Sequence, residues 1–192
     1  MKLYLIRHGQ TMANVKYIYC GSTDLPLSEE GIEKLKKFHY AVPKDARFLT
    51  SGMLRTEQTL QILFGDREHG KDERFRELDF GVFEMHSYEE LKERADYQAW
   101  ISGDNEKNVT PSGESGEQMT KRVLEGLKEL LEQQKDMVLI THGGVIAAIM
   151  AYLYPEENKN RFDWQPSPGC GYLITDNGYE ILQGSNEGDE HT

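Results

Sequence analysis

The sequence predicts an α/β fold built on an open sheet, and three observations carry that prediction. Residues 3–6 (LYLI) and 137–140 (MVLI) are short, wholly apolar runs, the pattern of strands buried on both faces. Each run ends abruptly in a polar corner containing glycine, Arg7-His8-Gly9 in the first and Thr141-His142-Gly143-Gly144 in the second. Between and after them lie stretches with helical spacing, so strands and helices alternate as they do in α/β proteins.

Taken in order, residues 17–27 (YIYCGSTDLPL) form a loop punctuated by Gly21 and Pro26. Ser28 is a good N-cap for a polar helix over 28–42, with two glutamates in its first turn. Residues 47–50 (RFLT) read as a second short strand, broken by Ser51-Gly52, and 53–64 as a helix with Leu54, Leu60, Ile62 and Leu63 on one side. Arg55 therefore falls just past a strand end, as Arg7 does. Residues 65–73 read as a charged connector, 74–83 as a strand edge or loop holding Glu77, and 88–100 as a helix. Residues 102–115, rich in Gly, Asn and Pro, are the expected lid or insertion, within a broader 84–115 segment. Residues 117–134 form a long helix with Met119, Val123, Leu127, Leu130 and Leu131 toward the core. After the second apolar strand comes an apolar helix, then a hairpin, 172–175 with 180–183, around Asp176-Asn177-Gly178. The tail, 185–192, is expected to be disordered. The chain of 192 residues reads as a single domain.

Composition narrows the function. The net charge is −11, from 22 basic and 33 acidic residues, which argues against nucleic acid or an anionic membrane as partner. An anionic substrate must then be drawn in by a local cluster of positive charge. No apolar run approaches the roughly 18 residues of a membrane span. No secretory signal is read at the start of the chain. Cys20 and Cys170 make no zinc spacing and no disulfide framework, and a cytoplasmic setting is expected.

The corners suggest phosphate chemistry. An arginine fork grips phosphate oxygens, and a neutral imidazole beside it can attack phosphorus. Taken alone, Arg7-His8-Gly9 reads first as a strand end facing solvent; what shifts the reading is that matching parts recur. Arg7 with His8, Arg55, Glu77 and His142 each sit at a strand end or helix start, and together they suffice for phosphoryl transfer without a metal. In this scheme Arg7, Arg55 and a protonated His142 hold the oxygens. His8 attacks, and Glu77, kept protonated by burial, donates to the leaving oxygen. Asn14 can return its amide to the same pocket. Glu84 competes with Glu77 for the acid role from the pocket mouth. His39, His69, His86 and His191 read as surface residues, and Tyr17 and Tyr19 as packing residues or an aromatic wall.

Four segments stand in one order: Arg7-His8-Gly9-Gln10-Thr11, residues 51–59 (SGMLRTEQT), residues 76–81 (RELDFG) and Thr141-His142-Gly143-Gly144. Together they resemble the histidine phosphatase superfamily, which also includes the cofactor-dependent phosphoglycerate mutases. The resemblance implies a three-layer α/β/α sandwich with a mostly parallel central sheet. It implies His8 as the phosphorylated nucleophile and Arg7, Asn14, Arg55 and His142 as phosphate ligands, with Glu77 as proton donor and no metal or cofactor. Gln10, Cys20, Gly21 and Gly143 fall where such enzymes bind phosphate or substrate. Residues 84–110 hold only Lys92, Arg94 and Lys107, and the second histidine is followed by Gly-Gly and not Gly-Asn. Both features favour a phosphatase over a mutase.

GSTDLPLSEEG, PSGES and THGG look most like the α-ribazole phosphatases and the broad-specificity phosphatases related to them. Ala147 and Ala148 stand where an arginine is often found, and Met85 where a glycine is common. The expectation is a metal-independent phosphomonoesterase acting on small phosphorylated metabolites, α-ribazole 5′-phosphate among them, as monomer or homodimer. The alternatives are a phosphoglycerate mutase or a non-catalytic binder of phosphorylated ligands.

Overall fold

The computed structural model describes residues 1–186. Its elements run β1 (Leu3–Arg7), α1 (Met12–Lys16), α2 (Glu29–Leu35), β2 (Arg47–Thr50), α3 (Leu54–Phe64) and β3 (His69–Lys71). They continue with α4 (Tyr88–Leu91), α5 (Ala95–Ile101), α6 (Gly116–Glu132), β4 (Met137–Thr141), α7 (Gly143–Leu153), α8 (Arg161–Trp164), β5 (Gly171–Thr175) and β6 (Gly178–Leu182). One sheet takes the order β3-β2-β4-β1-β5-β6. β3, β2, β4 and β1 are parallel, and β5 and β6 close the far edge antiparallel.

The apolar strands are buried on both faces because alternate side chains point to opposite sides. Leu3, Leu5, Met137 and Leu139 pack with Met119, Val123 and Leu127 of α6 and Val145, Ile146 and Ile149 of α7. Tyr4, Ile6, Val138 and Ile140 face the other way, against Phe48, Leu60 of α3 and Tyr40. That makes the three layers. Among the described residues no helix is long and apolar enough to cross a membrane.

Register is what gathers the site. Arg7 pairs with Thr141 across β1 and β4, and Thr50 pairs with Ile140 across β2 and β4. The next residues, His8, His142 and Ser51, therefore leave the sheet side by side at its carboxyl edge, where open α/β sheets place ligands.

Four expectations need correction. The helix after Ser28 stops at Leu35, and Tyr40 is not helical but buried, its hydroxyl donating to the Gly169 carbonyl at 2.8 Å. The charged connector contains β3, a three-residue edge strand that needs only one neighbour and so tolerates a polar sequence. Residues 88–100 split into α4 and α5, the second starting at Ala95. In the tail, Ser185 bridges to His39, and the Asn186 side chain bonds Ala41 N at 2.7 Å and Ala41 O at 2.8 Å. The remainder of the expected tail, and His191, lie outside the described residues.

Candidate active site

His8 follows β1 directly and is buried. Its Nδ1 lies 2.7 Å from the carbonyl of Gly9, an acceptor only, so Nδ1 carries the proton and Nε2 keeps its lone pair. Burial, then Arg55 and Arg7, hold its pKa well below the ordinary 6.5. His8 is thus a neutral imidazole with its nucleophilic nitrogen uncommitted.

His142 sits where β4 gives way to α7, fully buried, its ring centroid 5.2 Å from that of His8. Nε2 is 2.8 Å from Ser51 Oγ. Thr56 Oγ1 donates to the Met53 carbonyl at 2.7 Å and is 3.2 Å from Ser51 Oγ. The self-consistent chain runs from His142 Nε2–H through Ser51 and Thr56 to Met53. It leaves Nδ1 buried and without a partner. Burial, followed by Arg55, His8 and Arg7, keeps this histidine well below 6.5 as well. The protonated His142 of the sequence reading is therefore not the state of the unliganded protein, because two fixed guanidiniums and burial oppose the charge. An anion bound beside Nδ1 would favour the proton there.

Arg7 donates through Nη1 to the Pro166 carbonyl at 2.8 Å, while its Nε is buried and unpartnered. Burial lowers its pKa, opposed in part by Glu77. Arg55, in the first turn of α3, is only 1% exposed. Its two terminal nitrogens donate to the carbonyls of Thr23 at 2.9 Å and Gly21 at 2.8 Å.

Glu77 is half-buried, less enclosed than the sequence reading expects. Its Oε2 accepts from Gly144 N at 3.0 Å, at the start of α7, and its Oε1 from Leu78 N at 3.0 Å. The need for two glycines after His142 is now physical. A Cβ on Gly143 would sit 3.1 Å from Arg7 Cζ, and one on Gly144 would sit 2.4 Å from Glu77 Oε1. The loop carrying Glu77 is held by Arg122 of α6, which donates to the carbonyls of Arg74, Arg76 and Glu77 at 2.6–3.0 Å and pairs with Glu114.

A cavity of about 260 Å³ opens on this edge, lined by Arg7, Asn14, Cys20, Glu77 and Gly144, and by Tyr19, Phe80, Met119, Arg161 and Gln165. Of the sequence-predicted residues, Asn14 lines the cavity and also serves α1, its Oδ1 accepting from Thr11 N at 2.9 Å. Cys20 lines it too, with its thiol pushed up by burial. Gly21 reaches the site through its carbonyl on Arg55. Gln10 does not line this cavity: its Oε1 accepts from Ser28 Oγ at 3.3 Å, at the cap of α2. Tyr19 stacks on Phe80, Tyr97 and Trp100, whereas Tyr17 is exposed.

Sequence reasoning missed Ser51 as a site residue, together with Arg122, Arg161 and Gln165. SGMLRTEQT contains Ser51, but nothing local says that it meets a histidine 91 positions on. Among the described residues, no three His, Cys, Asp or Glu side chains gather as metal ligands.

The chain is similar to phosphatases along nearly its whole length. The adenosylcobalamin/alpha-ribazole phosphatase of Escherichia coli (strain K12) is 28% identical, over 91% of this chain and 89% of its own. The crystal structure of the alpha-ribazole phosphatase from Shigella flexneri superposes with a TM-score of 0.79 at 27% identity, covering 97% of this chain and 96% of that one. A phosphoserine phosphatase mutant from Entamoeba histolytica, in complex with phosphoserine, gives a TM-score of 0.75 at 25% identity and 95% coverage of both chains. The family model described as histidine phosphatase superfamily (branch 1) matches residues 3–183. With the two-histidine, two-arginine corner assembled as above, the chain belongs to the histidine phosphatase superfamily, branch 1, and is a phosphatase.

Proposed function

We propose that the protein is a metal-independent phosphomonoesterase that hydrolyses small phosphorylated metabolites through a phosphohistidine on His8. The observation that carries this reading is His8 itself: neutral, buried, with Nδ1–H tied to Gly9 and Nε2 bare beside two guanidiniums. Nε2 attacks phosphorus, and the P–O bond to the leaving alcohol breaks. Arg7 Nε, the free N–H groups of Arg55 and His142 Nδ1, once protonated, take the three non-bridging oxygens as charge moves in the transition state. Glu77 passes a proton to the departing oxygen. In the second half it takes a proton from water, whose oxygen attacks phosphorus and frees inorganic phosphate and His8.

Hydrolysis is favoured over a mutase reaction by the sparse positive charge of residues 84–110. Lys92, Arg94 and Lys107, the cations of that segment, each lie against a local acid, Glu89, Asp96 and Asp104, which offsets the charge they offer to a substrate carboxylate. α-Ribazole 5′-phosphate is the first substrate to try, because relatives across nine-tenths of the chain act under that name.

The test is phosphate release from p-nitrophenyl phosphate, α-ribazole 5′-phosphate, phosphoserine and 3-phosphoglycerate, with and without EDTA. EDTA-resistant turnover, with acid-labile phosphate trapped on the wild type and both absent in His8→Ala, is the expected result. Full activity in His8→Ala would sink the mechanism. Wild type that binds phosphate but turns over no substrate would leave a binding protein in its place.

A further inference from the structure

Glu84, the residue that competes with Glu77 in the sequence, is drawn away from the reacting groups by four donors. Its carboxylate accepts from Gly21 N at 3.0 Å, Ser22 N at 2.9 Å, Thr23 Oγ1 at 2.9 Å and Phe80 N at 3.1 Å, while the single Ser22 hydroxyl proton has Asp79 Oδ1 at 3.1 Å as its nearer acceptor and Glu84 at 3.2 Å. Four donors match the roughly four lone-pair sites of a carboxylate, so none is left to face a substrate. Glu84 is not the acid.

The far side of the same loop holds Arg55. The carbonyls of Gly21 and Thr23 accept from the two ends of its guanidinium at 2.8 and 2.9 Å. The Gly21 C=O and the Ser22 N–H belong to one planar peptide unit and point in opposite directions. That unit is therefore a rigid strut, with the Glu84 carboxylate on its N–H and the Arg55 guanidinium on its C=O. The loop has no slack: a Cβ on Gly21 would lie 1.6 Å from the Leu78 carbonyl oxygen. Asp24 continues the clamp by accepting from Leu54 N at 2.7 Å, at the start of the helix that carries Arg55.

We infer that Glu84 is a positioning residue for Arg55: through the strut at residues 21–23 it sets where the guanidinium presents its remaining N–H groups. This rests on the reading of Arg55 as a phosphate ligand. A long, flexible side chain needs such a fixture, because its loss of freedom otherwise falls on each binding event. The carboxylate–amide–guanidinium chain also aligns its dipoles, so each bond strengthens the next.

A double-mutant cycle tests the inference, read by p-nitrophenyl phosphate turnover and by the affinity of inorganic phosphate. Glu84→Gln places an amide N–H₂ against backbone donors and is expected to lower kcat/KM and phosphate affinity by about 10- to 100-fold when Arg55 is present. In an Arg55→Lys background, which lacks the fork, the same change is expected to cost less than about threefold. Thr23→Val removes one donor and leaves the carboxylate. It should show a smaller loss with the same dependence on Arg55, and it carries the test if Glu84→Gln does not fold. Equal losses in both backgrounds, or no loss with Arg55 present, would overturn the positioning role while leaving the phosphatase reading intact. A wild type without phosphatase activity but with phosphate affinity coupled between Glu84 and Arg55 would do the reverse.

Discussion

The first turn of α3 separates two histidine environments with opposite charge preferences. Arg55 faces His8 and His142, and both are held well below 6.5, by burial first and then by Arg55. Two residues on, about 200° around the helix, Glu57 faces His69 instead. There Nδ1 meets the Arg67 carbonyl at 2.8 Å and Nε2 meets Glu57 Oε2 at 2.6 Å, and these contacts raise the imidazole above 6.5. Glu57 is lowered in return by bonds from Thr50 and His69, against the pull of burial. The lesson is that imidazole charge here follows from depth and from the sign of the nearest fixed group. Where the proposed chemistry calls for a neutral nucleophile, the helix supplies a cation and a closed site. At the sheet edge, it supplies an anion and a half-open one.

Removing Arg55 is the most forceful way to break this contrast. Arg55→Met is expected to lower kcat/KM about 100-fold by deleting a charge-assisted phosphate contact. It should also raise the titration midpoint of His8 while His69 stays where it is. Ring-proton NMR reads both, and an unmoved His8 would mean that burial and Arg7 set its state without Arg55.

A subtler break is Ser51→Ala. It strips His142 Nε2 of its partner and should cost about tenfold in kcat with little change in KM for small substrates. If KM rises and kcat is preserved, His142 serves ground-state binding only.

The smallest effect is on stability, and its sign separates the two regions. For His8 and His142 the folded values lie below the unfolded 6.5, so the unfolded chain binds more protons in that window. Their linkage destabilises the fold as pH drops below 6.5. His69 runs the other way: its contribution is fully present below 6.5 and is lost as pH rises through its raised folded value. That of Glu57 is present above 4.5 and is lost as pH falls through its lowered one. The pair is therefore at full strength between about pH 4.5 and 6.5. His69→Gln should cost about 1 kcal/mol or less there, shrinking at higher pH, as read by urea melts. A cost that grows with pH would contradict the assignment.

How much was legible follows from what each residue depends on. Arg7, His8, Arg55 and His142 could be read because each directly follows a short apolar strand or its glycine break, and a strand end dictates where the next side chain emerges. Glu77 could be placed by the order of the segments but not by its burial, which depends on Gly144 and the start of α7. The edge strand β3 was hidden because its residues, His69–Lys71, are polar and pair on one side only. The early end of α2 was hidden because what replaces helix there is Tyr40 bonding Gly169, 129 positions away.

The sequence by itself determined the apolar strands, the two glycine corners and the residue types proposed for phosphoryl transfer, since periodicity, glycine breaks and side-chain chemistry are local properties. The tertiary structure alone decided the neutral state of both histidines, the Ser51–His142 bond, the Arg122 hold on the acid loop and the Glu84 strut. Each of these depends on distance and burial between segments far apart in the chain, and register across β2, β4 and β1 is what sets those distances.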